Sequence, residues 1–393
     1  MLHGAFGPDI HTPLFGIVFM RSDSSRSVTY LDQFWFTPSF QENPIAKDFQ
    51  SRLVHSLLEA GFALTSQVEN ANVVFQIVND KTRPFRRQHY AVYVIGVSFV
   101  PTLDPHYDLL KQFYSTHIRS LSNILIVVAG SLDDPTFVIT TLERGAVLLS
   151  SQENTLEQRY QKLVDRIAPL MRSHLIIRNH FHPDLQPSLW NGTRHTSSLS
   201  RAGQILESWD LLPAPFPMED YLSAEDMAHV RRLFGIGGLS YGNLSVRHED
   251  GSFWMSASGV DKSRLHDIGR DILLVTGFDV ADESIHLSVP ENLTPRRVSV
   301  DAIEHWKIYQ QYPQVGAIIH VHAWMPGIVA TEFNYPCGSK ELADEVAKQL
   351  AFADDPAHAV IGLKNHGLTI TGDSPEEILS RIHDRVVRQV PMQ

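Results

Sequence analysis

Two histidines separated by one residue, His320 and His322, are the clearest candidates for chemistry in this sequence. They end an apolar run that begins at Val315, and a short apolar run of this kind predicts a β-strand. Alternate side chains of a strand lie on one face, so the two imidazoles are expected to point the same way. Two imidazoles on one face can bind a divalent metal together. A chance pair at the end of a strand is the alternative interpretation.

Two further segments could complete a metal site. His366 is expected in a tight turn, because apolar strands precede and follow it. Ser299 is expected to cap a helix whose first turn contains Asp301. Three neutral imidazoles and one carboxylate form a complete zinc-type ligand set. The predicted metal ligands are His320, His322, His366 and Asp301.

Two segments rich in glycine and serine, residues 239–247 and 253–260, could bind an anion. Glycine lets the backbone approach a ligand, while asparagine and serine side chains donate hydrogen bonds. These residue types also mark ordinary turns, so neither segment alone indicates a site. Lys262 follows the second segment and could contact a substrate anion.

The order of these motifs resembles the class II aldolase/adducin family over roughly residues 220–385. The matching residues are, in order, Gly242-Asn243-x-Ser245-x-Arg247, Ser258-Gly259, Ser299-x-Asp301, Tyr309 with Pro313, His320-x-His322, Gly338-Ser339-x-Glu341-Leu342-Ala343, and Asn365-His366-Gly367 with Gly372. The resemblance implies an α/β/α sandwich around a mainly antiparallel sheet, usually assembled as a tetramer. It also implies a zinc ion held by the residues that match the family's metal ligands, namely His320, His322 and His366.

The resemblance further implies roles for individual residues. Asp301 falls at the position of an acid/base next to the metal, which would polarise the carbonyl of a ketose. The residues at substrate-phosphate positions are Asn243, Ser258, Gly259 and Ser299. We therefore predict a zinc-dependent, aldolase-type lyase that cleaves or forms a C–C bond in a small sugar or sugar phosphate. Two alternatives remain open: a 4-epimerase acting on a ketose phosphate, and a non-catalytic, adducin-like module for binding or assembly.

The composition narrows the class of partners and the compartment. The chain has 393 residues with 33 Lys and Arg against 44 Asp and Glu, a formal net charge of -11. This acidic balance argues against nucleic acid or an anionic membrane as a partner. Cys337 is the only cysteine; it cannot form an internal disulfide, which favours a reducing, cytoplasmic location, and we expect a small buried apolar side chain there. No signal peptide or membrane span is expected.

Periodicity predicts an α/β protein with two domains and a linker. Residues 1–176 are expected to form a three-layer α/β domain of unknown role, with a helix over 44–59 and a buried strand over 123–129. Residues 177–222, rich in proline and serine, are expected to be a linker that exposes His180 and His182 in a loop. Residues 223–393 are expected to form the aldolase-like domain.

Overall fold

The computed structural model describes residues 32–79, 81–86, 93–141, 145–212, 220–228 and 242–392. They form two β-sheets with associated helices, which confirms the predicted α/β class. The N-terminal elements are β1 (Gln33–Phe36), α1 (Ser39–Glu42), α2 (Pro44–Glu59), β2 (Ala63–Leu64), β3 (Val73–Ile77), β4 (Tyr93–Val100), α3 (Leu109–Ser120), β5 (Ile124–Ala129), β6 (Thr136–Thr141), β7 (Gly145–Leu149) and α4 (Leu156–Met171).

The N-terminal sheet has seven strands in the order β2-β1-β3-β4-β5-β6-β7. Strands β1 to β5 pair in parallel, whereas β6 and β7 continue the sheet antiparallel. Leu125 and Val127 of β5 pack with Phe113 of α3. Their neighbours Ile126 and Val128 lie in a separate core with α2 and α4. Helices therefore cover both faces of β5, as the three-layer prediction requires.

The second sheet has eight strands in the order β14-β15-β13-β9-β10-β11-β12-β8. All neighbours are antiparallel except β12 and β8, so the predicted mainly antiparallel sheet is confirmed. Its elements are β8 (Arg178–His182), α5 (Arg194–Ser208), β9 (Asn243–Arg247), β10 (Phe253–Ser256), β11 (Ile272–Asp279), β12 (Ser284–Ser288), α6 (Ala302–Gln311), β13 (Ala317–Val321), α7 (Lys340–Ala351), β14 (Val360–Leu363), β15 (Gly367–Gly372) and α8 (Pro375–Ile382).

The linker predicted over residues 177–222 is wrong for most of its described length. β8 pairs in parallel with β12, and α5 buries Leu199 and Leu206 in the core of the second sheet. His180 and His182 consequently lie on an edge strand rather than in a loop, and His182 Nε2 is 3.1 Å from His286 Nδ1. The second structural unit therefore begins near residue 178, and residues 213–219 lie outside the described part.

One face of the second sheet is polar and faces α6. The Ser245 hydroxyl on β9 lies 2.8 Å from the Tyr309 hydroxyl on α6. Asn243, two residues earlier, shares this face, while the apolar side chain of Leu244 points to the other. The candidate functional residues lie on this α6-facing surface and at its edge. None of the described helices is both long enough and apolar enough to cross a lipid bilayer.

Candidate functional site

His320 lies near the end of β13, in the middle of the α6-facing surface. Its directly paired neighbours are Asn243 on β9 and Thr369 on β15, and directly paired residues share a face. His320 Nδ1 is 2.9 Å from the carbonyl oxygen of Leu368. A carbonyl oxygen only accepts hydrogen bonds, so Nδ1 of the neutral ring carries the proton and Nε2 presents a lone pair. That tautomer is the one a metal would need at Nε2.

His366 occupies the predicted turn between β14 and β15. The turn is closed by the His366 backbone N–H, which donates to the Leu363 carbonyl at 2.9 Å. His366 Nε2 lies 3.2 Å from His320 Nε2, and the two rings stack with centroids 5.1 Å apart. Gly367 permits this approach, because a Cβ there would lie 2.3 Å from the Val321 carbonyl oxygen.

His322, the residue after β13, brings a third imidazole to the same place. Its ring centroid is 5.0 Å from that of His320 and 4.5 Å from that of His366. All three side chains are buried. The three histidines that the sequence singled out are therefore neighbours in space, although 46 residues separate the first from the last.

Asp301 is linked to His320 through Asn243 and does not lie in the predicted position. The sequence placed it in the first turn of a helix capped by Ser299, whereas α6 begins at Ala302 and Asp301 is itself the N-cap residue, without a side-chain capping bond. The carboxylate instead turns toward β9, where its Oδ2 accepts from Asn243 Nδ2 at 2.7 Å. Asp301 therefore makes a hydrogen bond to a strand of the sheet instead of a capping bond to the first turn of α6.

Two buried acceptor atoms at this position have no hydrogen-bond partner among the described residues: Asp301 Oδ1 and Asn243 Oδ1. Buried oxygens of this kind destabilise a fold unless something pairs with them. A cation or a ligand hydroxyl next to His320 would supply that partner. The orphaned oxygens therefore agree with a metal or substrate site.

A buried polar layer lies behind the histidines on α6. Glu304 accepts a hydrogen bond from Thr369 Oγ1 at 2.6 Å. Burial, reinforced by the charge of Asp301, raises the pKa of Glu304 to about 8. His305 Nδ1 lies 2.7 Å from Ser245 Oγ, and burial lowers the pKa of His305 to about 3. Burial therefore favours the uncharged form of both side chains. No sequence motif indicated that Glu304 would lie near the site. The only sign was its position three residues after Asp301, which places the two residues close together on a helix.

The predicted anion-binding residues are divided between surface and interior. Ser258 and Gly259 form an exposed turn after β10, whereas Ser299 is buried. The two segments adjoin, since the Ser299 N–H donates to the Ser256 carbonyl at 3.2 Å. Because Ser299 is two residues from Asp301, these segments border the histidine cluster.

Lys262, which could contact a substrate anion, is buried rather than exposed. Its side chain is only 3% exposed. Burial lowers the pKa of Lys262 to about 8, while the charges of Asp261 and Asp301 act in the opposite direction. Lys262 therefore acts electrostatically on the Asp301 carboxylate rather than on solvent.

Cys337 was expected to be a small buried apolar side chain, and the structure agrees only in part: the side chain packs against the core of the second sheet. The side chain is only partly buried, and its Sγ lies 3.1 Å from His366 Nε2. Cys337, His320 and His366 each offer one ligand atom, and these three atoms all lie within 4.8 Å of one another. The sequence carries no signal for this, because the contact depends on how two distant loops meet.

The N-terminal unit contributes a wall to the space next to His366. A cavity of about 580 Å³ is bounded on one side by Arg166 on α4 and by Arg172 directly after that helix, and on the other by Tyr335 and Asn365. Asn365 directly precedes His366. None of the three histidines lines this cavity, which adjoins the histidine cluster only through Asn365.

Residues 225–332 match the family model "Class II Aldolase and Adducin N-terminal domain". This stretch contains the Asn243, Asp301 and His320 positions described above. The resemblance inferred from the motifs is confirmed over this stretch.

Known proteins similar to this chain are enzymes by name. Methylthioribulose-1-phosphate dehydratase of Citrobacter koseri is 29% identical over 194 residues, which are 41% of this chain and 88% of that protein. Decarboxylase tropJ of Talaromyces stipitatus is 28% identical over 117 residues, 28% of this chain and 38% of that protein. The solved l-fuculose-1-phosphate aldolase from Thermus thermophilus is 22% identical with a TM-score of 0.29, covering 48% of this chain and 84% of that one. The chain thus spans most of the first relative and less than half of the second.

Proposed function

We propose that this protein is a metal-dependent lyase that acts on a small ketose or ketose phosphate. The observation that carries the proposal is the pair of Nε2 atoms of His320 and His366, 3.2 Å apart. Asn243, the paired neighbour of His320, also holds a carboxylate with an unpartnered oxygen, Asp301 Oδ1. A structural core gains nothing from this arrangement, because it leaves buried acceptors unsatisfied. A site that binds a metal and a substrate satisfies them.

The donor set fits a divalent metal, and we propose zinc. Imidazole nitrogen is a preferred zinc ligand, and zinc ligands at about 2.0–2.1 Å in a tetrahedron lie roughly 3.3 Å apart. The observed separation of the His320 and His366 nitrogens, 3.2 Å, is close to this value. His320 and His366 are the proposed ligands, with His322 and Asp301 as further candidates. When bound, the metal would polarise a substrate carbonyl and stabilise negative charge on its oxygen.

The side chains around the histidines would orient the substrate and move its protons. Asn243 holds one oxygen of Asp301, so the other oxygen has a fixed direction for accepting or returning a proton. Ser258, Gly259 and Ser299 are proposed to bind a phosphate. Burial of Asp301 and the histidines excludes water from the reacting atoms, which strengthens these electrostatic contacts.

The names of the matched family and of the first relative suggest which bonds such a site could break. The family is named for class II aldolases, and the relative is named for loss of water from a ketose phosphate. Both reactions form an enolate at the carbon α to a carbonyl. Aldol cleavage forms it when the Cα–Cβ bond breaks and the β-hydroxyl becomes the aldehyde carbonyl, whereas dehydration forms it when a proton leaves Cα and the enolate then expels the β-hydroxyl, which takes up a proton and leaves as water. We propose an aldolase-type cleavage of the C–C bond, with dehydration as the nearest variant of the same chemistry.

The test is a product screen on the zinc-loaded protein with ketoses and their 1-phosphates. Aldehyde release measures C–C cleavage, formation of an ultraviolet-absorbing dicarbonyl measures water loss, and chromatography detects an epimer. We expect turnover by the unmutated protein and its loss in His366→Ala. His55→Ala is the matched control, because His55 lies exposed on α2 and should leave turnover unchanged.

The products decide among the functions considered. Aldehyde supports the proposed cleavage. A dicarbonyl or an epimer alone would replace it by a dehydratase or an epimerase. No product from any substrate, with zinc bound, would overturn the enzyme proposal in favour of a binding or assembly module. The tetrameric assembly and the cytoplasmic location stay predictions from the sequence.

A further inference from the structure

Cys337 Sγ, His366 Nε2 and His320 Nε2 form a compact group of three potential metal ligands. His366 Nε2 lies between the other two, 3.1 Å from the sulfur and 3.2 Å from the His320 nitrogen. The sulfur comes from the loop before α7, His366 from the β14–β15 turn, and His320 from β13. Three separate elements thus converge on one point.

Protons alone do not account for all of these short distances. His320 Nε2 has an unprotonated lone pair, because the ring proton is on Nδ1, which donates it to the Leu368 carbonyl oxygen. If His366 Nε2 carries a proton, it can point at His320 or at the sulfur, but not at both with good geometry. If His366 Nε2 has no proton, two lone pairs face each other at 3.2 Å. A metal ion among the three atoms removes the conflict, since all three then act as donors to it.

The backbone holds Cys337 firmly in this position. The Gly338 carbonyl accepts from the Ile176 N–H at 2.8 Å, and the Lys340 N–H donates to the His174 carbonyl at 2.9 Å. Gly338 also packs against the residue between Ser299 and Asp301, because a Cβ there would lie 3.0 Å from the Val300 Cβ. The segment that leaves α4 therefore fixes the sulfur beside the histidines.

We propose that Cys337 is a thiolate ligand of the metal, together with His320 and His366. The proposal rests on the metal site of the proposed function and specifies its donor set. Metal binding would release the thiol proton to solvent and leave an S⁻ donor. A thiolate is a soft ligand that favours zinc over magnesium or manganese. With sulfur in the ligand set, the Asp301 carboxylate is not needed as a ligand and remains available for proton transfer.

Cobalt(II) alone is the probe, since it replaces zinc in such sites and reports its ligands by absorption. We expect the unmutated protein to bind one equivalent of cobalt with visible ligand-field bands and a near-ultraviolet sulfur-to-cobalt charge-transfer band. Cys337→Ser should retain the ligand-field bands and lose the charge-transfer band. Because the unmutated protein has only one cysteine, any such band reports Cys337. The test therefore stands even if the variant folds poorly.

The outcomes separate this inference from the proposed function. Ligand-field bands without a charge-transfer band in the unmutated protein would overturn the thiolate ligand and leave the metal site intact. No cobalt binding at all would overturn both. A charge-transfer band in a protein that turns over no substrate would uphold the thiolate ligand while the lyase proposal fails. Cys337→Ala provides a second variant without a hydroxyl donor and should behave as Cys337→Ser does.

Discussion

Asn243 Nδ2 donates to Asp301 Oδ2 at 2.7 Å, joining the first residue of β9 to the N-terminus of α6. Both side chains are buried. Asn243 Oδ1 and Asp301 Oδ1 have no hydrogen-bond partner among the described residues. Asn243 is also the paired neighbour of His320 across the sheet. This one hydrogen bond therefore sets where the carboxylate sits relative to the imidazoles.

Replacing Asn243 by alanine should lower kcat while leaving bound metal in place. The change releases Asp301 Oδ2 but removes none of the proposed metal ligands. Loss of a hydrogen bond that orients a functional group typically costs about 10–100-fold in activity. Steady-state kinetics and metal content measure the two effects separately. Asn70→Ala, at an exposed position in the N-terminal unit, is the control; a full-rate Asn243→Ala enzyme would remove the positioning role.

Replacing Asp301 by asparagine should abolish proton transfer without changing the side chain's size. A positioned acid/base typically contributes about 10²–10⁴-fold to rate, so kcat should fall by that order. If Asp301 is not a metal ligand, the variant should still bind one metal ion per chain. Loss of the metal together with the activity would instead identify Asp301 as a ligand.

Gly242→Ala should destabilise the protein more than Gly251→Ala. Both glycines have positive φ, 76° and 88°, so alanine is strained at either position by about 1–2 kcal/mol. At Gly251 the new Cβ meets nothing within 4 Å, whereas at Gly242 it would lie 2.4 Å from the His320 carbonyl oxygen. Overpacking adds about 1–3 kcal/mol. Urea unfolding at equilibrium measures the difference, and equal losses for the two variants would rule out the close approach at β13.

The N-terminal unit should lose stability as pH falls below about 6.5, because of His117. Burial lowers the pKa of His117 to about 4 from an ordinary value of 6.5. The unfolded chain binds the proton first, so the contribution to stability is complete above pH 6.5 and is lost as the pH falls toward 4. Between about pH 6.5 and 5 the loss amounts to about 2 kcal/mol.

Urea unfolding at several pH values measures the His117 effect. His117→Gln removes the titrating group, so its unfolding free energy should depend less on pH between about 6.5 and 5 than that of the unmutated protein. His55→Gln, on the exposed face of α2, should keep the original dependence. Identical pH profiles for all three proteins would contradict the assignment.

Apolar spacing within short segments predicted the helices and strands that bury a continuous run or one face of apolar side chains. The helix over 44–59 is α2, which the Asn43 side chain caps by accepting from the Ile45 N–H. The apolar run over 123–129 is β5 apart from its first residue. The strand carrying His320 and the turn carrying His366 were also predictable, because apolar strands and a glycine turn leave strong local signals.

Elements stabilised by distant partners were not predictable in the same way. β8 is an edge strand with mostly exposed side chains, so it shows no apolar alternation, and only its pairing with β12 makes it a strand. Asp301 lies before the first turn of α6, not in it as predicted, and its carboxylate bonds to the buried Asn243 side chain. Cys337 lies 29 residues before His366, and nothing local shows that the two loops meet. Tertiary contacts overrode local preference in each case.

Metal analysis of the purified protein tests the central claim most directly. After incubation with excess zinc and desalting, elemental analysis should find one zinc per chain in the unmutated protein and in the His55→Ala control. The double variant His320→Ala/His366→Ala should hold none, with its far-ultraviolet circular dichroism unchanged. Zinc missing from the unmutated protein, or retained in full by the double variant, would contradict a metal-dependent site at these histidines.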